Sequence, residues 1–216
     1  MKHINITNGE YLNNYLLNKY EGIFIPFNEA LIQGELLYPL FNDEFINKRS
    51  LVHHVSKELY KSKLQDLIDI EKEIDHIESI VLWFGKDAFC VINLLGVLTY
   101  LEDINYQNKV TINLVDDETF NVIESNIEVK LSSFKEVYCK LINRNLIETE
   151  YNFINEGLKD YLYITSSESD IMNYIKENIN KIDEEELIVN VLNKTYIYGL
   201  SDVFVKEMIN KVKESL

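Results

Sequence analysis

A chain of 216 residues that is 46% hydrophobic and 12% aromatic carries too much packing material for a disordered polymer, and is long enough for one large domain or a main domain with a smaller companion. Its formal net charge of −15 repels nucleic-acid backbones and anionic membranes, and no basic patch overrides that repulsion, so neither is expected as a partner. No apolar run approaches the ~20 residues of a membrane span, and "MKHINITNGEYL" lacks the apolar stretch of a secretory signal, which points to a cytoplasmic protein.

The alternation in "HINIT" predicts a strand over 3–7, followed by a turn at "NGE" and a helix over 11–20. "GIFIPFNEA", 22–30, predicts a second strand, and the short strand–helix–strand unit favours a parallel pair with a right-handed crossover. Over about 43–78 the pattern changes to charged helices, with "LVHHVSKELY" and "LQDLIDIEKEIDHI" spacing apolar residues by three and four. "IVLWF", 80–84, is a continuous apolar run suited to a central strand covered on both faces, and "AFCVINLLGVLTYLE" a mostly buried helix. "KVTINLVDD" closes a second strand–helix–strand unit, and "IEVKL", 127–131, an edge strand. From 132 onward "SSFKEVYCKLINRN", "LIETEYNFINEGLKDYL", "SESDIMNYIKENINKI", "EEELIVNVLNKTY" and "SDVFVKEMINKVKES" predict successive amphipathic helices, with a capping box at Ser167 and Asp170. The fold class is therefore α/β: a small doubly wound, mostly parallel, Rossmann-like sheet over 1–131 with a helical insertion, and a helical C-terminal subdomain over 132–216.

Ligands of an open parallel sheet bind beyond the carboxyl ends of its strands, where the strand order reverses. Those ends are "TNGE", "PFNEA", "FGKD" and "VDD". With the order second, first, third, fourth, the loops "NGE" and "FGKD" are neighbours, and Gly9 and Gly85 let backbone amides approach a ligand. Each loop ends in an acid: Glu10, Glu29, Asp87 and the pair Asp116/Asp117. Asp87 and Glu10 have a purely structural reading as helix N-caps, and a functional one as ligands of a hard cation or as acid and base. His3, His53, Lys86 and Arg49 could supply positive or proton-transferring partners. The candidate ligand-binding set is His3, Asn8, Gly9, Glu10, Glu29, Arg49, Gly85, Lys86 and Asp87.

Cys90 and Cys139 sit in helix-like apolar contexts, as buried free thiols rather than a disulfide, and no cysteine spacing supports a metal site. The chain has no G-x-x-x-x-G-K-[ST], G-x-G-x-x-G, H-E-x-x-H, G-x-S-x-G or C-x-x-C, so it names no cofactor and no reaction. Lysine, isoleucine and asparagine are abundant while Arg49 and Arg144 are the only arginines, the usage of an AT-rich bacterial genome.

At "HINITNGE", "FIPFNEALIQGEL" and "VLWFGKDAFCVINLL" the chain resembles the bacterial family catalogued as domain of unknown function 1835, over about residues 1–120. That family opens with a pattern like H-I-T-N-G-D, follows with P-W-R-D-x-L-x-x-G-P and continues with L-W-F-x-x-D-L-[FY]-[CD]-Q. His3, Thr7, Asn8, Gly9, Pro26, Leu31, Gly34, Leu82, Trp83, Phe84, Asp87, Phe89, Cys90 and Leu94 match. The departures are Glu10 for aspartate, Phe27–Asn28–Glu29 for Trp-Arg-Asp, and Val91 for glutamine, so a site built on that arginine or glutamine would be lost or altered here. A "GLS" start to the last helix is a further likeness that suggests a helix-turn-helix, but residues 167–216 hold six lysines against ten acids, which disfavours DNA.

These features imply a cytoplasmic protein that binds a small polar ligand or a protein partner at the "NGE"/"FGKD" crevice, regulatory rather than catalytic. The alternative is a metal-assisted hydrolase or transferase acting on a phosphorylated small molecule, with Glu10, Glu29 and Asp87 holding a divalent ion. The sequence specifies no oligomeric state.

Overall fold

The computed structural model describes residues 1–215. Its centre is a five-stranded sheet of order β2-β1-β3-β4-β5, formed by β1 (Lys2–Thr7), β2 (Ile23–Pro26), β3 (Ile77–Phe84), β4 (Lys109–Val115) and β5 (Val122–Val129). The first four strands are parallel and β5 is antiparallel to β4, so the reversal of order falls between β1 and β3. The α/β class and the order of the first four strands are as the sequence implies.

The two faces of the sheet differ. Even-numbered β3 residues Ile80, Leu82 and Phe84 join Ile4, Ile6, Ile25, Ile112 and Leu114 against α5 (Ala88–Asp103), an almost wholly apolar helix buried along its length. On the opposite face α1 (Glu10–Leu17) covers a smaller cluster of Leu12, Leu16, Trp83 and Val115. Trp83 is 4% exposed and its indole N–H donates to Asn5 Oδ1 at 2.9 Å, which satisfies the polar edge of a buried ring. One core runs from Ile4 on β1 to Val212 near the end of the chain, because α6 (Phe134–Ile142) and α7 (Asn152–Ile164) pack directly on α5. Gly157 permits that approach: a Cβ there would lie 2.6 Å from Val91. α8 (Asp170–Asn178), α9 (Glu184–Lys194) and α10 (Asp202–Ser215) complete the helical half.

Several boundaries depart from the sequence reading. β2 stops at Pro26 instead of running to residue 30; Phe27 N still donates to Thr7 O at 2.8 Å, after which the chain leaves the sheet for an irregular segment. The insertion comprises α2 (Asp43–Val52), α3 (Lys57–Ile68), α4 (Ile70–Glu73) and a 3₁₀ turn at Ile74–His76, so that β3 begins at Ile77, inside the expected helical range. "LVHHVSKELY" is not one helix. It breaks after Val52, His54 takes φ 52°, and Ser56 starts α3 by accepting from Leu59 N at 3.1 Å. The expected edge strand at 127–131 is the longer β5, and the helix expected from 146 begins at Asn152, because Asn155 Oδ1 accepts from Thr149 N and fixes a turn ahead of it. Ser169, not Ser167, caps α8, with its Oγ accepting from Met172 N at 3.2 Å; Asp170 is the first helical residue. None of the helices is long and apolar enough among the described residues to cross a membrane.

Candidate ligand-binding crevice

β1 delivers Asn8 and Gly9 to the reversal point, and β3 delivers Gly85 and Asp87 beside them. Gly9 has φ 85° and stands at the start of α1, so Glu10 is the first helical residue and not a side-chain cap. Asp87 is the cap of α5: its Oδ1 accepts from Cys90 N at 2.9 Å. Glu29 and Asp117 start no helix. Glu29 lies in the irregular segment after β2, and Asp117 in the turn that joins β4 to β5.

A hollow of about 610 Å³ opens between the two loops and the segment after β2, lined by Gly9, Glu10, Tyr11, Phe27, Glu29 and Phe89, with His53 and Lys63 from the helical insertion. A smaller hollow of about 210 Å³ adjoins it, lined by Gly85, Asp87, Cys90, Asp117 and Gly199; Asn8, Tyr11 and Phe89 form part of both walls. A third hollow, of about 690 Å³, lies among α6, α7, α8, α10 and the segment after β2 and is lined by none of the candidate ligand-binding residues.

The floor of the larger hollow is a buried charged cluster. The Arg49 and Glu29 side chains are both 0% exposed and paired through Arg49 Nη2 and Glu29 Oε1. The same Oε1 accepts from Ala30 N at 2.7 Å and from His53 Nε2 at 2.7 Å. Arg49 also donates to the carbonyls of Gln33 and Ala30, so it clamps the whole segment after β2. His53 reaches Glu29 because α2 ends one residue earlier, and its ring stacks on Tyr60 at 5.5 Å. Burial alone would raise the Glu29 pKa, but the hydrogen bond from His53 and the charge of Arg49 outweigh it and hold this carboxylate below its ordinary range. Glu29 is therefore ionised. Among the described residues its second oxygen, Oε2, has no hydrogen-bond partner, and Arg49 Nε and Tyr60 OH in the same cluster also have none.

The smaller hollow has the opposite electrostatics. Ligand atoms of Asp87, Cys90 and Asp117 lie within 4.8 Å of one another. Burial, reinforced by the neighbouring Asp87 carboxylate, pushes Asp117 up to about 8. Burial and both carboxylates push the Cys90 thiol well above its ordinary value, so it stays protonated and donates to Asp117 Oδ1 at 3.3 Å instead of acting as a thiolate. Two glycines stand close against these acids. A Cβ at Gly85 would fall 2.2 Å from Asp117 Oδ1, and one at Gly199, from the turn before α10, would fall 2.6 Å from Asp87 Oδ1.

A hydrogen-bond relay joins the two hollows. Asn93, buried in α5, donates to Glu29 O at 2.7 Å and to Asn8 Oδ1 at 2.9 Å, and accepts from Leu31 N at 2.9 Å. Asn8 Nδ2 in turn lies 2.9 Å from Cys90 Sγ, which reaches Asp117.

Of the residues singled out from the sequence, Asn8, Gly9, Glu10 and Glu29 line the larger hollow, Asn8, Gly85 and Asp87 the smaller one, and Arg49 stands behind Glu29. Glu10 sits at the mouth, where Oε2 accepts from Asn28 Nδ2 at 3.3 Å. Lys86 is exposed and lines neither hollow. His3 is apart from them, near the start of β1, hydrogen-bonded to Ser79 Oγ at 2.8 Å. Glu10, Glu29 and Asp87 do not converge as a ligand set; among the described residues the three groups that do are Asp87, Cys90 and Asp117. Asn93 and Cys90 escaped the sequence reading as site residues, and Asp117 was named among the loop-end acids but left out of the candidate set. Asn93 carried a signal, since a lone amide inside "FCVINLLGVL" must find partners when buried. The chain matches no family model, no curated protein and no solved structure.

Proposed function

We propose that the protein binds a small polar ligand in the larger hollow, with Glu29 as its anchoring group, and that the function is regulatory rather than catalytic. The observation that carries this reading is Glu29 Oε2: a buried, ionised carboxylate oxygen with no donor, on a side chain whose other oxygen is fixed by Arg49, His53 and Ala30 N. An oxygen in that state gains a strong charge-assisted hydrogen bond from any ligand that brings an N–H or O–H to it. Cytoplasmic residence and the absence of a nucleic-acid partner belong to the same proposal, the second resting on the −15 charge. Kinship with the domain of unknown function 1835 family is proposed on the three N-terminal motifs.

The test is a thermal-shift screen of the full chain against small compounds bearing amino, amide or hydroxyl donors. A ligand at 100 times its dissociation constant adds about 2.7 kcal/mol. At least one compound should stabilise the wild type and lose that effect in Glu29→Gln. A panel with no stabilising compound, or equal shifts in the variant, overturns the reading.

The metal-assisted hydrolase or transferase is kept as a second reading because Asp87, Cys90 and Asp117 place three ligand atoms within 4.8 Å. Cys90 would have to give up its proton to a bound ion. Proton release on adding Zn²⁺ to the wild type, absent in Asp117→Asn, would favour it.

A further inference from the structure

The two hollows share a wall and both are lined by acids, with Arg49, His53 and Lys63 confined to the larger one. In the larger one, Arg49 and His53 both engage Oε1 of Glu29, and the buried Oε2 has no hydrogen-bond partner among the described residues. In the smaller one, two carboxylates and a protonated thiol face one another. Among the described residues no lysine or arginine forms an ion pair with Glu10, Asp87 or Asp117. An anionic ligand would meet the carboxylates of Glu10 and Asp87 here, with Asp117 beside them. Between the acid groups stand Tyr11 and Phe89, with Phe27 beside Glu29 and Phe120 beside Asp117. The ring centroids of Tyr11 and Phe120 are 6.1 Å apart. Aromatic faces accept both methylene chains and ammonium groups.

We propose that the double crevice binds a linear di- or polyamine, one ammonium donating to Glu29 Oε2, another lying between Asp87 and Asp117, and the methylene chain passing along Tyr11 and Phe89. This rests on the ligand-binding reading above and specifies the ligand class. The relay through Asn93, Asn8 and Cys90 fixes the two acid groups relative to each other, which suits a ligand with two separated cations. Cation binding also favours the ionised form of Asp117, so the complex should release a proton at neutral pH.

Isothermal titration of the full chain at ~150 mM salt, where long-range attraction is screened, tests this with spermidine, putrescine and butylamine. Spermidine should bind with one-to-one stoichiometry and release a proton, seen as a dependence of the heat on buffer. Butylamine, with a single ammonium, should bind at least about tenfold more weakly, as should spermidine to Asp117→Asn and to Glu29→Gln. Glu124→Gln/Glu185→Gln, which removes two exposed charges away from the crevice, should leave the affinity unchanged. If Glu29→Gln fails to fold, Asp117→Asn alone decides. Equal weakening in the remote double variant, butylamine as tight as spermidine, or Mg²⁺ displacing spermidine at equal concentration would overturn the assignment. No spermidine binding, with a neutral compound that stabilises only when Glu29 is present, overturns the polyamine and leaves the ligand-binding reading standing. Neither binding overturns both.

Discussion

Glu29 and Asp117 are both acids at the carboxyl ends of a parallel sheet, and their surroundings drive them in opposite directions. Glu29 is the more deeply buried, yet Arg49 and His53 keep it ionised; Asp117 keeps an edge in solvent, yet partial desolvation and the neighbouring Asp87 favour its protonated form against the opposing hydrogen bond from Cys90. Burial alone therefore does not set the charge of a carboxylate. Burial raises both, and the sign of the neighbours decides whether that shift is reversed or reinforced. The same contrast separates structural from recognitional duty: the Glu29 group holds a backbone segment together through Arg49, whereas little of the fold depends on Asp117.

The largest expected effect breaks that contrast on its structural side. Arg49→Ala strands a buried carboxylate and frees the carbonyls of Ala30 and Gln33, and the loss of one partner of a buried pair costs about 3–5 kcal/mol. Urea unfolding of the variant should show that loss, whereas Lys86→Ala, an exposed residue lining neither hollow, should unfold within about 0.5 kcal/mol of the wild type. Equal midpoints for Arg49→Ala and the wild type would mean that the cluster holds nothing.

Next in size is the connection between the two groups. Asn93→Leu leaves Glu29 O and Leu31 N without partners inside the protein, at a cost of about 1–3 kcal/mol. It also unties Asn8 from α5. If the two hollows depend on the relay, a ligand found in the larger one should lose affinity in Asn93→Leu by more than in Lys63→Ala, whose side chain stands at the rim; the reverse order would remove the relay from the argument.

The part of this arrangement legible in the sequence was whatever short-range pattern fixes. The continuous run "IVLWF" and the all-apolar helix after it identify a covered central strand and its crossover, and these place "NGE" beside "FGKD". Asp87 three residues ahead of Cys90 N is an equally local cue, because a cap bonds within its own first turn. Glu29 and Arg49 were visible as candidates but not as a pair, since the irregular stretch from Phe27 to Asn42 gives no periodicity from which to place one against the other. Asp117 was the hardest. It meets Cys90 across 27 residues through a hairpin whose second strand, with six of its eight residues solvent-exposed, shows no apolar alternation. Gly199 reaches Asp87 from the far end of the chain, a contact that no local pattern encodes.

A smaller effect separates the two duties of Asp87. Asp87→Ala removes the acceptor of Cys90 N and should cost about 1 kcal/mol, while Asp87→Asn, an N-cap of nearly equal quality, should keep most of that stability. The asparagine nevertheless removes the like charge beside Asp117. A titration of Asp117 by carboxyl-carbon NMR should show its pKa falling in Asp87→Asn; an unchanged value would leave burial as the sole cause of the shift.

The smallest expected effect is a slope with pH, and its sign differs between the two acids. Asp117 is raised from an ordinary 3.8 to about 8 in the folded protein. Between those values the unfolded chain has released the proton that the folded protein still holds, so the native state binds more protons and stability falls as pH rises from about 4 to about 8. Glu29 works the other way: lowered from 4.5, it contributes stability that is present above that value and lost as pH falls through its folded value. Because Asp117 keeps an edge in solvent, the slope it produces is shallow. Asp117→Asn should therefore have a urea midpoint close to that of the wild type at pH 4 and above it at pH 8. A difference between the two proteins that does not change with pH would mean that Asp87 and Asp117 titrate independently, and that the smaller hollow carries an ordinary pair of surface acids.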